Sequence, residues 1–334
     1  DLGSVVCYAE SVDGFEWDRP ELNLVEYEGS TKNNIISRDG EHFLQSILQD
    51  PEAPAESRYK SIGPKGRYFR DGKHDPTMTQ KEVKKLLRDM DAGGVSPEDR
   101  RKKIQMHSEV RASVSPDGLR WTNLEDPLID VGATALDTHN LVTYDPFESR
   151  YVLYLRGGSD ERRRQVRRAD SAQFAAFENL HPCLVADPQD DISDDIYTPC
   201  YTVYPNGLRF YLMFPSLYHR VESHVDAQLA VSRDSHLWQR PERTPIIDLA
   251  YEGGEYGSLY AAPNLAAPDE GDWRLAFVGH QRRHDMRSRG AAPRKPDPVE
   301  PRWAMWKPDR LAGLEARGEG RMVLNMRVCA GTEM

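Results

Sequence analysis

Carboxylates standing just before β-like runs are the residues of this sequence whose types and spacing could do chemistry. Asp137 precedes His139 and Asn140, Asp194 and Asp195 precede Tyr197, and Glu252 and Glu255 precede Tyr256 and Tyr260. The matching place in an earlier run holds Asn33 and Asn34. Acidic residues are depleted within strands, so their recurrence at strand starts asks for more than turn capping or rim solvation. If these starts converge, one carboxylic acid can protonate a leaving glycosidic oxygen while another activates water or attacks the sugar carbon. A third nearby carboxylate would raise the pKa of the acid and hold its proton until needed. On this reading Asp137 and Asp195 are base, nucleophile or pKa-tuning groups, and Glu255 is the general acid. Asn34, His139 and Asn140 would bind hydroxyls, while Tyr197, Tyr256 and Tyr260 would stack on sugar faces.

The elements that must position these groups are repeated. SVDGFEW (11–17), SPDGLRW (115–121) and SRDSHLW (232–238) each follow a strand-like run, respectively VVCYAES, VRASVS and AQLAVS, and each precedes a second, Pro-marked run. Asp, Gly and Ser suit a tight turn with positive φ, so the phrase reads as a β-hairpin whose Trp packs between neighbouring units. RRADSAQFAAFENLHPCLVAD (167–187) reads as an eroded copy, with Asp170, Ser171 and Phe174 in the places of Asp, Gly and Trp. Paired runs at 138–157, 197–216 and 257–280, and more loosely at 33–63, complete four-stranded units near 33–130, 138–187, 197–249 and 257–315. Such units, about 50 residues each, predict an all-β fold, a five-bladed β-propeller. The hairpin at 5–26 is expected to be the second half of a blade whose first half is missing or supplied elsewhere. In a propeller the first strand of each blade lines the channel, which is where the carboxylates would meet.

One segment departs from this pattern. Over 78–106, Val83, Leu86, Leu87 and Met90 recur at helical spacing, Gly93-Gly94 stops the run, and SPED at 96–99 caps a second short helix. This predicts a helical insertion between two strands of one blade, either overhanging a binding face or decorating the surface.

The S-x-D-G-x-x-W hairpins, the D-x-x-N start at Asp137 to Asn140 and the MWKPDRLAGLEA stretch at 305–316 resemble the five-bladed propeller glycosidases of glycoside hydrolase families 32, 43, 62 and 68. More narrowly, they resemble bacterial proteins assigned as family 32-like glycosyl hydrolases. The resemblance spans about 5–316 and implies an Asp base or nucleophile in the first blade, a tuning Asp in the second and a Glu acid in the third. Asp137, Asp195 and Glu255 correspond by position; the W-M-N-D-P-N, R-D-P and E-C motifs of family 32 do not occur at the inner-strand starts. Residues 317–334 resemble the start of an appended β-sandwich, so the propeller is expected to end near 316.

Totals exclude several classes. A net charge of −10 argues against general nucleic-acid binding, and no run of 18 apolar residues offers a membrane span. The basic cluster Glu161 to Arg168 reads as a solvated hairpin. Cys7, Cys183, Cys200 and Cys329 lack zinc-type spacing, and Cys7 and Cys200 read as buried thiols. His280, His284 and Asp285, like His219 and His224, are ligand types, yet loop histidines near Arg read as solvent-facing. No phosphate loop, Ser elbow or nucleotide fingerprint occurs. The expected partner is therefore an oligo- or polysaccharide, with no nucleic acid, no membrane and no cofactor, although the channel would accommodate a structural ion. A non-catalytic sugar-binding propeller is the alternative from another functional class.

Overall fold

The computed structural model describes residues 4–50, 52–134, 136, 139–158, 163–205, 209–251, 254–284 and 299–311. Strands make up 43% and helices 8% of the structure. Among the described residues no helix is long and apolar enough to cross a membrane.

The plainest unit is an antiparallel sheet in chain order: Leu141–Asp145, Arg150–Gly158, Arg164–Ser171 and Glu178–Leu184. It coincides with the repeat at 138–187. The following unit is two linked ladders. Asp194–Thr198 pairs with Ser216–His219 and that with His224–Ala227; Tyr201–Val203 pairs with Tyr211–Met213 and that with Ala230–Ser232. The last meander runs Ser258–Ala261, Trp273–His280, Val299–Trp306, and a parallel contact between Val225 and Ser258 joins it to the preceding unit.

Strand alternation explains how the sheets stack. Because successive side chains point to opposite faces, Val152 and Tyr154 join Tyr201, Met213 and Leu217 in one core. Their neighbours Leu153 and Leu155 face the other way, onto Ile62, Val110 and Ala112. A third core joins Leu212, Phe214 and Ala227 to Leu259, Leu275 and Phe277. Each layer thus draws on two consecutive sheets, as expected where every unit buries both faces against its neighbours. The first turn also meets the last sheet: Trp303 Nε1 donates to Gly14 O at 2.8 Å, Arg274 Nη1 to Asp13 O at 2.8 Å, and the Arg274 guanidinium lies over Phe15.

The N-terminal region corrects the predicted strand order. Ile35–Arg38 pairs with Val5–Cys7, because Asp39 and Gly40, at φ 54° and 73°, turn the chain directly after it. The next sheet starts instead at Ser46–Gln49, followed by Tyr59–Arg70, Ile104–Ser115 and Thr122–Asn123. Cys7 is exposed on its short strand, contrary to expectation, whereas Cys200 is buried as expected.

Each letter of the repeated turn has a partner. In the middle copy Gly118 N donates to Ser115 Oγ at 2.9 Å, and Leu119 N and Arg120 N donate to Asp117 Oδ1 at 2.9 and 2.8 Å. Trp121 Nε1 returns to Gly118 O at 3.0 Å. The same set recurs around Asp13 and Trp17, and Asp234 and Trp238 repeat its Asp and Trp bonds. The fourth position has φ 80°, 76° and 61° at Gly14, Gly118 and Ser235, conformations that favour Gly. The eroded copy has a different register from the predicted one. Ser171 takes the Ser place, accepting from Gln173 N, and Phe177, 5% exposed, takes the Trp place. Asp170 lies in a strand, paired with Arg150 and Arg168.

The predicted insertion is present as helices Gln80–Ala92 and Pro97–Lys103 between the strands Tyr59–Arg70 and Ile104–Ser115. Thr79 and Glu82 form a capping box, and Ser96 accepts from Asp99 N. Val83 is buried with Met78 and Ile104, and Leu86, Leu87 and Met90 pack against them.

Candidate functional site

Consecutive units bring aromatic, imidazole and guanidinium groups to one place. Tyr197 stands at its centre, its ring 5.9 Å from Tyr218, 6.2 Å from Tyr260 and 5.0 Å from His284. The sheet before it contributes Arg156 and Arg164, whose guanidinium carbons lie 4.9 and 4.8 Å from the Tyr197 centroid. Arg164 also lies over Tyr218 at 5.4 Å. The meander after it contributes Tyr260, whose hydroxyl is 2.6 Å from His284 Nδ1, and His280, 5.7 Å from the Tyr260 ring. His139, just before the strand Leu141–Asp145, lies tilted toward the Tyr260 ring at 5.9 Å. Its φ of 60° is left-handed, a conformation that costs a non-Gly residue about 1–3 kcal/mol and collects at functional sites.

A buried carboxylate fixes the arginines. Asp195 is 0% exposed. Its Oδ1 accepts from Arg164 N and Arg220 Nη2 at 2.8 and 2.7 Å, and its Oδ2 from Arg164 Nη1 and Arg220 Nε, both at 2.8 Å. A carboxylate offers about four lone-pair sites, and all are engaged here. Such a group orients cations and has no lone pair left for a substrate proton. Its neighbour Asp194, 6% exposed, points to the opposite face, where burial raises its carboxyl pKa and the charge of His219 partly offsets this. His219 itself is pushed up to about 9, chiefly by its hydrogen bond to Asp226.

The other predicted site residues disperse. Asp137, Glu252 and Asp285 lie outside the described residues, as do residues 312–334, which include the proposed C-terminal extension and Cys329. Glu255 is exposed, on a short hairpin where it pairs with Ala250. Asn34 donates from Nδ2 to Tyr8 O at 2.5 Å, a tie within the N-terminal strand pair. Asn140 is 2% exposed; its Nδ2 donates to Gln45 Oε1 and its Oδ1 accepts from Arg156 N, so it links two sheets. Tyr256 is 3% exposed, packed edge-on to Phe277 and over Gly279, with its hydroxyl on Glu300. Of the expected contact residues, His139, Tyr197 and Tyr260 are the three that stand in the cluster.

The cluster holds residues that sequence reasoning passed over. The 161–168 hairpin is not simply solvated: Arg164, Val166 and Arg168 share one strand face, with Val166 0% and Arg168 1% exposed. The apolar Val in an otherwise charged period-two run was the signal. His284, set aside as solvent-facing, is half-buried against Tyr197, Tyr218 and Tyr260. Beside the helical insertion lies a separate cleft of about 430 Å³, where Glu109 is engaged by Arg111 at 2.7 Å.

A floor of π-faces, imidazoles and fixed guanidiniums can stack on apolar sugar faces and donate hydrogen bonds to hydroxyls or carboxylates. No protein-family model and no curated protein matches this chain. Among solved structures it is similar to a Bacteroides thetaiotaomicron protein named as a glycosidase, with 12% identity over 61% of this chain and 65% of that one, at TM-score 0.43. It is also similar to a family 32 β-fructofuranosidase from Bombyx mori, with 15% identity, coverage of 60% and 40%, and TM-score 0.40. A third is an N-acetylgalactosamine deacetylase from F. plautii, with 10% identity, coverage of 79% and 85%, and TM-score 0.42. The chain spans less than two thirds of the first two of these proteins. At such scores the likeness bears on neither substrate nor reaction.

Proposed function

We propose that this chain is a five-bladed propeller enzyme acting on a plant or microbial glycan, a glycoside hydrolase whose substrate meets the Tyr197 floor. The observation that carries the reading is the convergence of Tyr197, Tyr218, Tyr260, His139 and His284 from consecutive units onto one point, with Arg156 and Arg164 held beside them. Asp137 acts as the base or nucleophile; it stands two residues before His139, which meets Tyr260. Glu255 is the proposed acid, its exposed carboxyl leading into the sheet that carries Tyr260. Asp195 serves as a positioning residue, keeping Arg164 and Arg220 oriented while Arg164 spans both tyrosines.

On panels of aryl glycosides and oligosaccharides, wild type should show hydrolysis, and Asp137→Asn and Glu255→Gln should each lose about 10²–10⁴-fold in kcat, the usual worth of a positioned acid or base. Equal turnover in all three proteins would sink the assignment. A second reading, a carbohydrate-binding propeller without turnover, is favoured by the full engagement of Asp195 and the exposure of Glu255. Calorimetric binding of an oligosaccharide that no variant or wild type cleaves would select it.

A further inference from the structure

The ladder that carries Asp195 and Tyr218 has a second face. Register sets Asp194 opposite His219 and His219 opposite His224, and alternation returns Asp226 to the same side. The two imidazoles stack with centroids 4.4 Å apart. His219 is bracketed by carboxylates, Nδ1 lying 3.1 Å from Asp194 Oδ1 and Nε2 3.1 Å from Asp226 Oδ2. One ligand atom each from His219, His224 and Asp226 falls within 4.8 Å of the others.

Asp226 is 4% exposed, yet its Oδ1 accepts no hydrogen bond, while Asp194, 6% exposed, keeps its Oδ1 against His219 Nδ1. Orphaned buried polar atoms are rare and ask for a cause such as an ion, since a desolvated acceptor without a donor is costly. We infer that His219, His224 and Asp226 form a binding site for a divalent first-row transition metal ion of the zinc class, with Asp194 orienting His219 through Nδ1. Two imidazoles and a carboxylate are a ligand set for such ions, whereas calcium and magnesium take oxygen ligands. A carboxylate on the far nitrogen is the habitual partner of a metal-bound histidine. A bound ion would tie Ser216–His219 to His224–Ala227 on the reverse of the face that carries Asp195, so the inference does not depend on the glycan reading.

Chain stripped with chelator and dialysed against Zn²⁺ should take up one tightly held equivalent by elemental mass spectrometry, and zinc should raise its Tm. Asp226→Asn and His224→Gln should weaken uptake roughly ten-fold or more and abolish the Tm rise. His181→Gln, at the stacked His181 and His236 pair elsewhere, should change neither. Circular dichroism reports folding, and His224→Gln, at a half-buried position, is decisive if Asp226→Asn fails to fold. Absence of stoichiometric zinc overturns the inference, as does wild-type behaviour in both site variants or uptake of Ca²⁺ alone.

Discussion

Asp194 and Asp195 are adjacent, both buried and both on the strand Asp194–Thr198, yet they live in opposite electrostatic settings. Asp195 meets two guanidiniums with every oxygen occupied. Asp194 meets a single imidazole through Oδ1 and lies near Asp190 and Asp191. The strand's period of two sends one carboxylate toward Arg164 and Tyr218 and the next toward His219 and His224. Burial therefore does not determine what a carboxylate can do; its partners do. Asp195 behaves as an anchor and Asp194 as the partner of the inferred metal ligand His219.

Substitution measures this difference directly, with chelator present to keep metal out. Asp195→Asn should cost about 3 kcal/mol in urea denaturation, the low end for breaking a buried ion pair because Arg164 and Arg220 remain 28% and 37% exposed. A loss no larger than that of Asp194→Asn would break the comparison. Asp194→Asn should cost only about 1 kcal/mol, since its amide keeps the single polar contact without a buried charge. A carboxylate outside both faces sharpens the scale. Asp117 in the repeated turn is held down to about 2; backbone N–H donors from Arg120 and Leu119 outweigh its desolvation. Its folded pKa lies below its unfolded value, so its contribution is present above pH 3.8 and fades as pH falls toward 2. Asp117→Asn should cost about 1 kcal/mol at neutral pH, comparable to losing a helix cap and kept small by solvent at this half-exposed turn. The gap from wild type should close on acidification, and a gap constant from pH 7 to about 2 would remove the carboxylate from the turn's stability.

Local patterns carried much of the fold. The capping residues Thr79, Glu82 and Ser96, the spacing of Val83 to Met90 and the turn letters around Asp117 each act within a few residues, so their geometry is written in short stretches. Local pattern and fold part where a distant strand chooses the partner. Asn34 looked like the head of an inner strand, but Ile35–Arg38 pairs backward with Val5–Cys7. Asp170 looked like a turn cap, but Arg150 and Arg168 claim it within its sheet.

For the site, the sequence by itself determined that Asp195 and Tyr197 share one face of a strand and that a polar, aromatic set recurs at strand starts, because alternation is a property of the backbone. Tertiary structure alone decided that Arg164 and Arg220 would together saturate Asp195, that Arg164 would cover Tyr197, that His284 would turn back onto Tyr260, and that Asp194 would face His219. These contacts join residues tens of positions apart through the stacking of whole sheets. Their strength comes from a low-dielectric interior that exists only once those sheets have packed.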